Sequence, residues 1–257
     1  MYSRALDAVP SRVRPAIGVM PSIYALFFVS GCPALIYQIV WQRSLFAIYG
    51  VNIQSVTIVV TAFMLGLGLG SLIGGSLSRI EGLPALPVFG CIELSIGAYG
   101  LMSLRVFHLV GAHTAGTSLP AVAALTFLLV LIPTVLMGGT LPFLVAHFVR
   151  ASKNVGASVG MLYFVNTLGS SFACMICARF LMRSMGESGS VIVAAVLNGV
   201  VGLTAFLLAS AAPQRQADVE AAPPSAGGKL LAFPLALLLS GACGFISLSY
   251  EILWYRA

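Results

Sequence analysis

Charged residues are scarce in this chain. Asp, Glu, Lys and Arg together make up 8% of its 257 residues, against 59% hydrophobic residues and a mean hydropathy of +1.03. That balance excludes an ordinary soluble globule. Histidine is rarer still: His108, His113 and His147 lie near expected helix ends and far apart, which is no pattern for a metal site or a haem ligand. The five cysteines, Cys32, Cys91, Cys174, Cys177 and Cys243, all fall in apolar stretches, so no secreted disulfide framework is expected. The CMIC pair of Cys174 and Cys177 lacks a second Cys or His pair at zinc spacing, and apolar packing is its reading. Thirteen basic residues outnumber seven acidic ones, but they are scattered singly between apolar segments, and no nucleic-acid partner is expected. No Gly-rich strand-to-helix turn followed by acidic residues occurs, and no cofactor is expected either.

Long apolar runs fill the chain instead. Several reach about 20 residues, the length that crosses about 30 Å of hydrocarbon, and the short alternating strands of a membrane barrel are missing. The expected fold is all-α: a polytopic bundle of about seven transmembrane helices near 17–40, 52–77, 86–104, 120–147, 157–180, 189–211 and 230–254. The first run, starting near Ile17, has no small-residue cleavage site and reads as a retained helix. The fourth holds Pro133 and Pro142 around Gly138 and Gly139 and is expected to be kinked or broken. Arg43, Arg105, Arg179, Arg183 and Arg256 fall on one side of such a bundle. Arg4, Arg12, Arg14, Arg79, Arg150, Lys153, Arg215 and Lys229 fall on the other. The side richer in Arg and Lys is cytoplasmic by the positive-inside rule, so the segment 1–16 and the N-terminus are expected there, in an inner, cytoplasmic membrane of bacterial type.

Between the sixth and seventh helices, APQRQADVEAAPPSAGGK at 212–229 has the composition of a flexible linker. It separates two related segments. GCPALIYQIVWQR, Gly31 to Arg43, aligns without gaps on GFISLSYEILWYR, Gly244 to Arg256, sharing Gly31/Gly244, Leu35/Leu248, Tyr37/Tyr250, Ile39/Ile252, Trp41/Trp254 and Arg43/Arg256. Six helices precede the second segment, so it crosses in the same direction as the first. The repeat is therefore parallel, related by an axis along the membrane normal, with a six-helix unit at 17–211 and the first helix of a second at 230–257. Within each copy the tyrosine and tryptophan are four apart and share a helix face. Trp41 and Arg43, with Tyr37, and likewise Tyr250, Trp254 and Arg256, suit interfacial anchors; contact with a ligand is the alternative. Glu251, where the first copy has Gln38, could pair with Arg256 or Arg43.

Few residues are equipped for chemistry. Glu93 is the one acid well inside an apolar segment, where an ionised carboxylate costs at least about 2.5 kcal/mol unless it finds a partner or a proton. It is the leading candidate for a proton-linked or cavity-lining role; the alternative is a protonated or hydrogen-bonded glutamate near the cytoplasmic end of the third helix, snorkelling or pairing with Arg79. Asn166, with Tyr163, Thr167, Ser170 and Ser171 around it, forms the most polar intramembrane patch, either lining a cavity or hydrogen-bonding between helices, as Asn198 would. Gly66, Gly70 and Gly74 make two successive small-xxx-small spacings, a face for close helix packing.

Five stretches, SGCPALIYQIVWQR, TAFMLGLGLGSLIGG, PTVLMGGTLPFL, VGMLYFVNTLGS and GFISLSYEILW, together resemble the membrane regions of fused major-facilitator-like/spermidine-synthase proteins. The resemblance implies a major-facilitator-like half of six helices. It also implies a soluble aminopropyltransferase-like domain, for which this chain has no candidate segment; no catalytic residue is carried over and no enzyme activity is expected. The loop GGSLSRIEG, Gly74 to Gly82, keeps Gly75 and Arg79 of the superfamily's loop after the second helix but has Ser78 where an aspartate is expected. The implied function is transporter-like handling of a small solute or amine. A half needs a second copy or a partner subunit for this. The alternative is a non-transporting structural subunit of a larger membrane complex.

Overall fold

A computed structural model of the chain describes residues 14–49, 52–114, 117–152, 155–211 and 233–254. These residues are almost wholly helical. The helices are α1 (Arg14–Tyr49), α2 (Asn52–Leu77), α3 (Ala85–His113), α4 (Leu119–Ser152), α5 (Val155–Ile176), α6 (Gly186–Ala211) and α7 (Phe233–Trp254). A π-helical turn, Cys177–Leu181, and a last turn, Met182–Ser184, carry α5 onward to Met185. The first six helices are long and apolar enough to cross a membrane, so the protein is an integral membrane helix bundle. The seventh is 22 residues long. The expected linker at 212–229 and residues 1–13 lie outside the described residues.

Several helices run further than expected. α1 continues to Tyr49 and α3 to His113, because neither Gly nor Pro occurs between Pro33 and Tyr49, and α3 meets no proline after Pro87 in its first turn. Arg105 therefore lies inside α3 rather than in a connection. The fourth helix is not broken at its prolines: α4 is continuous through Pro133 and Pro142. Pro133 has no N–H for the carbonyl of Leu129, and the Tyr99 hydroxyl of α3 donates to that carbonyl at 2.6 Å. The orphaned acceptor is satisfied by the neighbouring helix, which lets the proline sit in mid-helix without a break.

Helix pairing follows the small residues. α2 lies along α4, α3 along α6 and α1 along α5, while α1 also touches α2, α3 and α6. A Cβ added at Gly66 or Gly70 would collide with Thr134 or with the Val135 carbonyl of α4, and at Gly74 would come within 2.8 Å of the Gly139 Cα. The three glycines thus let α2 approach α4 backbone to backbone, as van der Waals packing in lipid favours. Gly68 and Gly75, off that face, meet nothing within 4 Å. On the other side of α1, Gly31 faces Asn166 and Ser170, and Gly169 faces the Phe28 carbonyl.

Two apolar clusters fill the bundle. One gathers Tyr37, Val40, Trp41, Leu45, Phe63 and Phe107; the other gathers Ile23, Phe27, Phe89, Leu144, Phe148 and Val201. Along α1, α3 and α6 the positions between these clusters are Ser30, Glu93 and Asn198. A polar layer thus separates two dry ones.

Candidate functional site

Glu93 stands at the centre of that polar layer, with 1% of its surface exposed. Ser30 of α1 donates to its Oε1 at 2.5 Å and Asn198 of α6 donates Nδ2–H to its Oε2 at 2.7 Å. The amide is held from its other end, where the Tyr37 hydroxyl donates to Asn198 Oδ1 at 3.1 Å. Tyr37 reaches this position because Gly100 of α3 has no side chain: a Cβ there would collide with the phenol. Its ring stacks on Trp41 at a centroid distance of 5.1 Å and 17°, and the Trp41 Nε1–H donates to Ser103 Oγ at 2.9 Å. Ser103 in turn donates to the Gly100 carbonyl at 2.6 Å. The result is one chain of polar contacts, Ser30, Glu93, Asn198 and Tyr37, continued by ring stacking to Trp41 and Ser103, that ties three helices together.

Helix register fixes the depth of this site. From Ala85 at the start of α3 to Arg105 is 20 residues, about 30 Å of rise, the thickness of the hydrocarbon core. Glu93 lies 8 residues, about 12 Å, from the first of these and 12 residues, about 18 Å, from the second. It sits near the middle of the stretch 85–104, in which it is the one charged residue. Both of its hydrogen-bond partners are neutral, and no basic side chain pairs with it among the described residues. Removing an ionised carboxylate from water to such a place costs several kcal/mol, and a hydroxyl and an amide offset that only in part. Chemically, the cluster can hold a carboxyl group in a fixed orientation and exchange a proton or a small cation with it if a path opens.

The expected pairing of Glu93 with Arg79 is not formed. Arg79 is exposed in the turn after α2, on a different helix end from the polar layer, and it does not pair with the exposed Glu81. In that turn Ser78, at the aspartate position, donates its hydroxyl to the Gly75 carbonyl at 3.0 Å, and Gly82 takes the left-handed φ of 83° that suits a residue without a Cβ.

Asn166 and Tyr163 do not join Glu93. Asn166 donates to the Phe27 carbonyl of α1 at 3.2 Å and Ser170 to the Gly31 carbonyl at 2.8 Å, so this patch fastens α5 to α1. Tyr163 is 64% exposed on the outer side of α5, and its hydroxyl has no partner among the described residues. Among these candidates it is Asn198, expected to bond between helices, that completes the carboxylate site, together with Ser30, which no sequence pattern singled out.

The anchor reading is corrected for Tyr37 and Trp41. Both are 0% exposed, because Gly100 and Ser103 leave room on α3 for two aromatic rings that an interfacial position would have left to lipid. Arg43 is exposed and pairs with Glu187 at 3.5 Å. In the second copy of the motif, Tyr250 is 62% exposed and Gly244 meets nothing within 4 Å. Arg256 lies outside the described residues, as do the side chains of Glu251 and Trp254, so the pairs expected for Glu251 lie there too. Cys177 is buried at the first position of the π-helical turn.

Comparisons of the chain with protein-family models, with curated proteins and with solved structures find no match.

Proposed function

We propose that this protein is a transporter-like membrane unit in which Glu93 is the ion- or amine-accepting group, closed in the state described here and opened when solute moves. The observation that carries this reading is a carboxyl group buried between three helices, in the middle of an apolar stretch, whose partners among the described residues are neutral. Intramembrane acids of this kind mark substrate, ion or proton paths by default. The order of the quoted sequence stretches supports the resemblance to the membrane regions of fused major-facilitator-like/spermidine-synthase proteins, and with it a small amine as solute. The parallel repeat supports a second unit: α1 uses Gly31, Tyr37 and Trp41 to seat itself against α5 and α3, and α7 repeats those residues with the described ones unpartnered. The basic-residue distribution supports a cytoplasmic N-terminus in a bacterial cytoplasmic membrane.

The test is uptake of radiolabelled spermidine into proteoliposomes. Wild-type protein is expected to accumulate spermidine and Glu93→Gln to lose uptake while keeping its helical content. Equal uptake by both would remove Glu93 from the path. A second reading, a structural subunit that transports nothing, draws on the closed packing of the Glu93 cluster. It predicts co-purification of unrelated membrane subunits and no spermidine uptake by the wild type.

A further inference from the structure

The end of the bundle opposite Ala85 carries a level of arginines with few acids. Arg43 lies 12 residues beyond Gly31 and Arg183 lies 13 beyond Ser170, which hydrogen-bonds to Gly31. Arg105 lies 12 beyond Glu93, and Glu187 lies 11 before Asn198, the pair that bonds across α3 and α6. At 1.5 Å per residue these four side chains start within about 3 Å of one depth, roughly 18 Å from the polar layer. That is the level at which the apolar stretch 85–104 of α3 ends in a charged residue. Arg179 starts about one turn deeper. All four arginines are exposed, and the one ion pair among the described residues at this level is Arg43 with Glu187, made through Nε. The terminal nitrogens of Arg43 and the whole guanidinium groups of Arg105, Arg179 and Arg183 have no acceptor among the described residues.

A notch opens at this level. Its volume is about 380 Å³ and it is lined by Arg43, Met182, Met185, Gly186, Glu187 and Ser188. It exists because α5 and α6 turn at Met185, with Gly186 at φ 64°, while α1 and α3 run on to Tyr49 and His113, about 8–12 Å further. The α5–α6 turn is thus a ledge beside the taller α1. Met182 and Met185 give it an apolar floor that adapts to irregular groups. Arg43 supplies a planar fork of donors that matches a phosphate.

We propose that this notch binds a phosphate group, that of a phospholipid headgroup, with Arg43 as its main donor and the headgroup resting on Met182 and Met185. Glu187 holds the Arg43 guanidinium by Nε and opposes a second negative charge, so it limits the affinity. This site is independent of the transport reading for Glu93. The phosphate chemistry is shared by lipid headgroups and by inorganic phosphate, and the position at the end of that apolar stretch favours the lipid.

Native mass spectrometry of the full chain, delipidated in detergent and titrated with phosphatidylglycerol, tests the assignment. One lipid is expected to be retained, and dioleoylglycerol, which has no phosphate, is expected to be retained far less. Arg43→Ala with Arg183→Ala should weaken phosphatidylglycerol retention about tenfold, and Glu187→Gln should strengthen it. Glu187→Gln keeps the assignment testable if the double variant folds poorly. Equal retention of dioleoylglycerol, or no change in either variant, would overturn the site. Displacement of the lipid by millimolar inorganic phosphate would overturn the lipid as its source; retention in the presence of phosphate supports it.

Discussion

Replacing Asn198 by alanine should unpick the polar layer from the α6 side. The substitution removes the donor to Glu93 Oε2 at 2.7 Å and the acceptor of the Tyr37 hydroxyl at 3.1 Å. Side-chain hydrogen bonds between membrane helices are worth about 0.6 kcal/mol on average and at most about 1.7, so two account for about 1–3 kcal/mol. A buried carboxylate oxygen left without a partner adds about 1–3 kcal/mol more. The expected loss is therefore about 2–6 kcal/mol, well above the roughly 0.5 kcal/mol expected for an exposed substitution such as Thr167→Ala. Reversible unfolding in mixed micelles of rising dodecyl sulfate fraction measures it. The sharper readout is the double-mutant cycle with Tyr37→Phe, where a coupling of about 0.6–1.7 kcal/mol is expected because the two residues share one hydrogen bond. A loss no larger than that of Thr167→Ala, or no coupling to Tyr37, would refute the reasoning.

Other substitutions follow from the same geometry. Gly70→Leu should separate α2 from α4 and destabilise the fold, whereas Gly68→Leu, with nothing within 4 Å of its Cβ, should change unfolding little in the same assay. Tyr99→Phe should cost about 1 kcal/mol by leaving the Leu129 carbonyl unpaired, and most of that cost should vanish in a Pro133→Ala background, where the helix N–H returns to it. Glu187→Ala should change unfolding by at most about 1 kcal/mol, because its pair with Arg43 is exposed; a larger loss would mean that the pair is part of the fold.

The helices themselves were plain in the amino-acid order, since runs of apolar residues admit no other structure in lipid. Their ends were less so. The Tyr37–Trp41–Arg43 segment resembled an interfacial anchor because composition at a helix end does not say whether a neighbouring helix has a gap. The gap is made by Gly100 and Ser103, some 60 residues away, and single-sequence patterns carry no such pairing. Glu93 stood out because an acid in an apolar run is costly whatever surrounds it. Its partners did not: serine is frequent along the chain, and nothing at Ser30 distinguishes it from Ser95, whose hydroxyl turns back to its own helix at the Cys91 carbonyl. The Gly66, Gly70 and Gly74 spacing was legible because contact between two backbones needs only small residues at helical intervals. Asn166 and Tyr163, close in sequence, face different surroundings because a shift of three residues on a helix rotates a side chain by about 60° from its starting face.

The central claim is that Glu93 occupies a closed site that opens during solute movement. Its most direct test is labelling of Ser30→Cys, in a background with the five native cysteines replaced, by a membrane-impermeant thiol reagent in proteoliposomes with and without spermidine. The account predicts no labelling at rest, since Ser30 is buried against Glu93, and labelling when spermidine is present. Labelling at rest, or none under either condition, would contradict it.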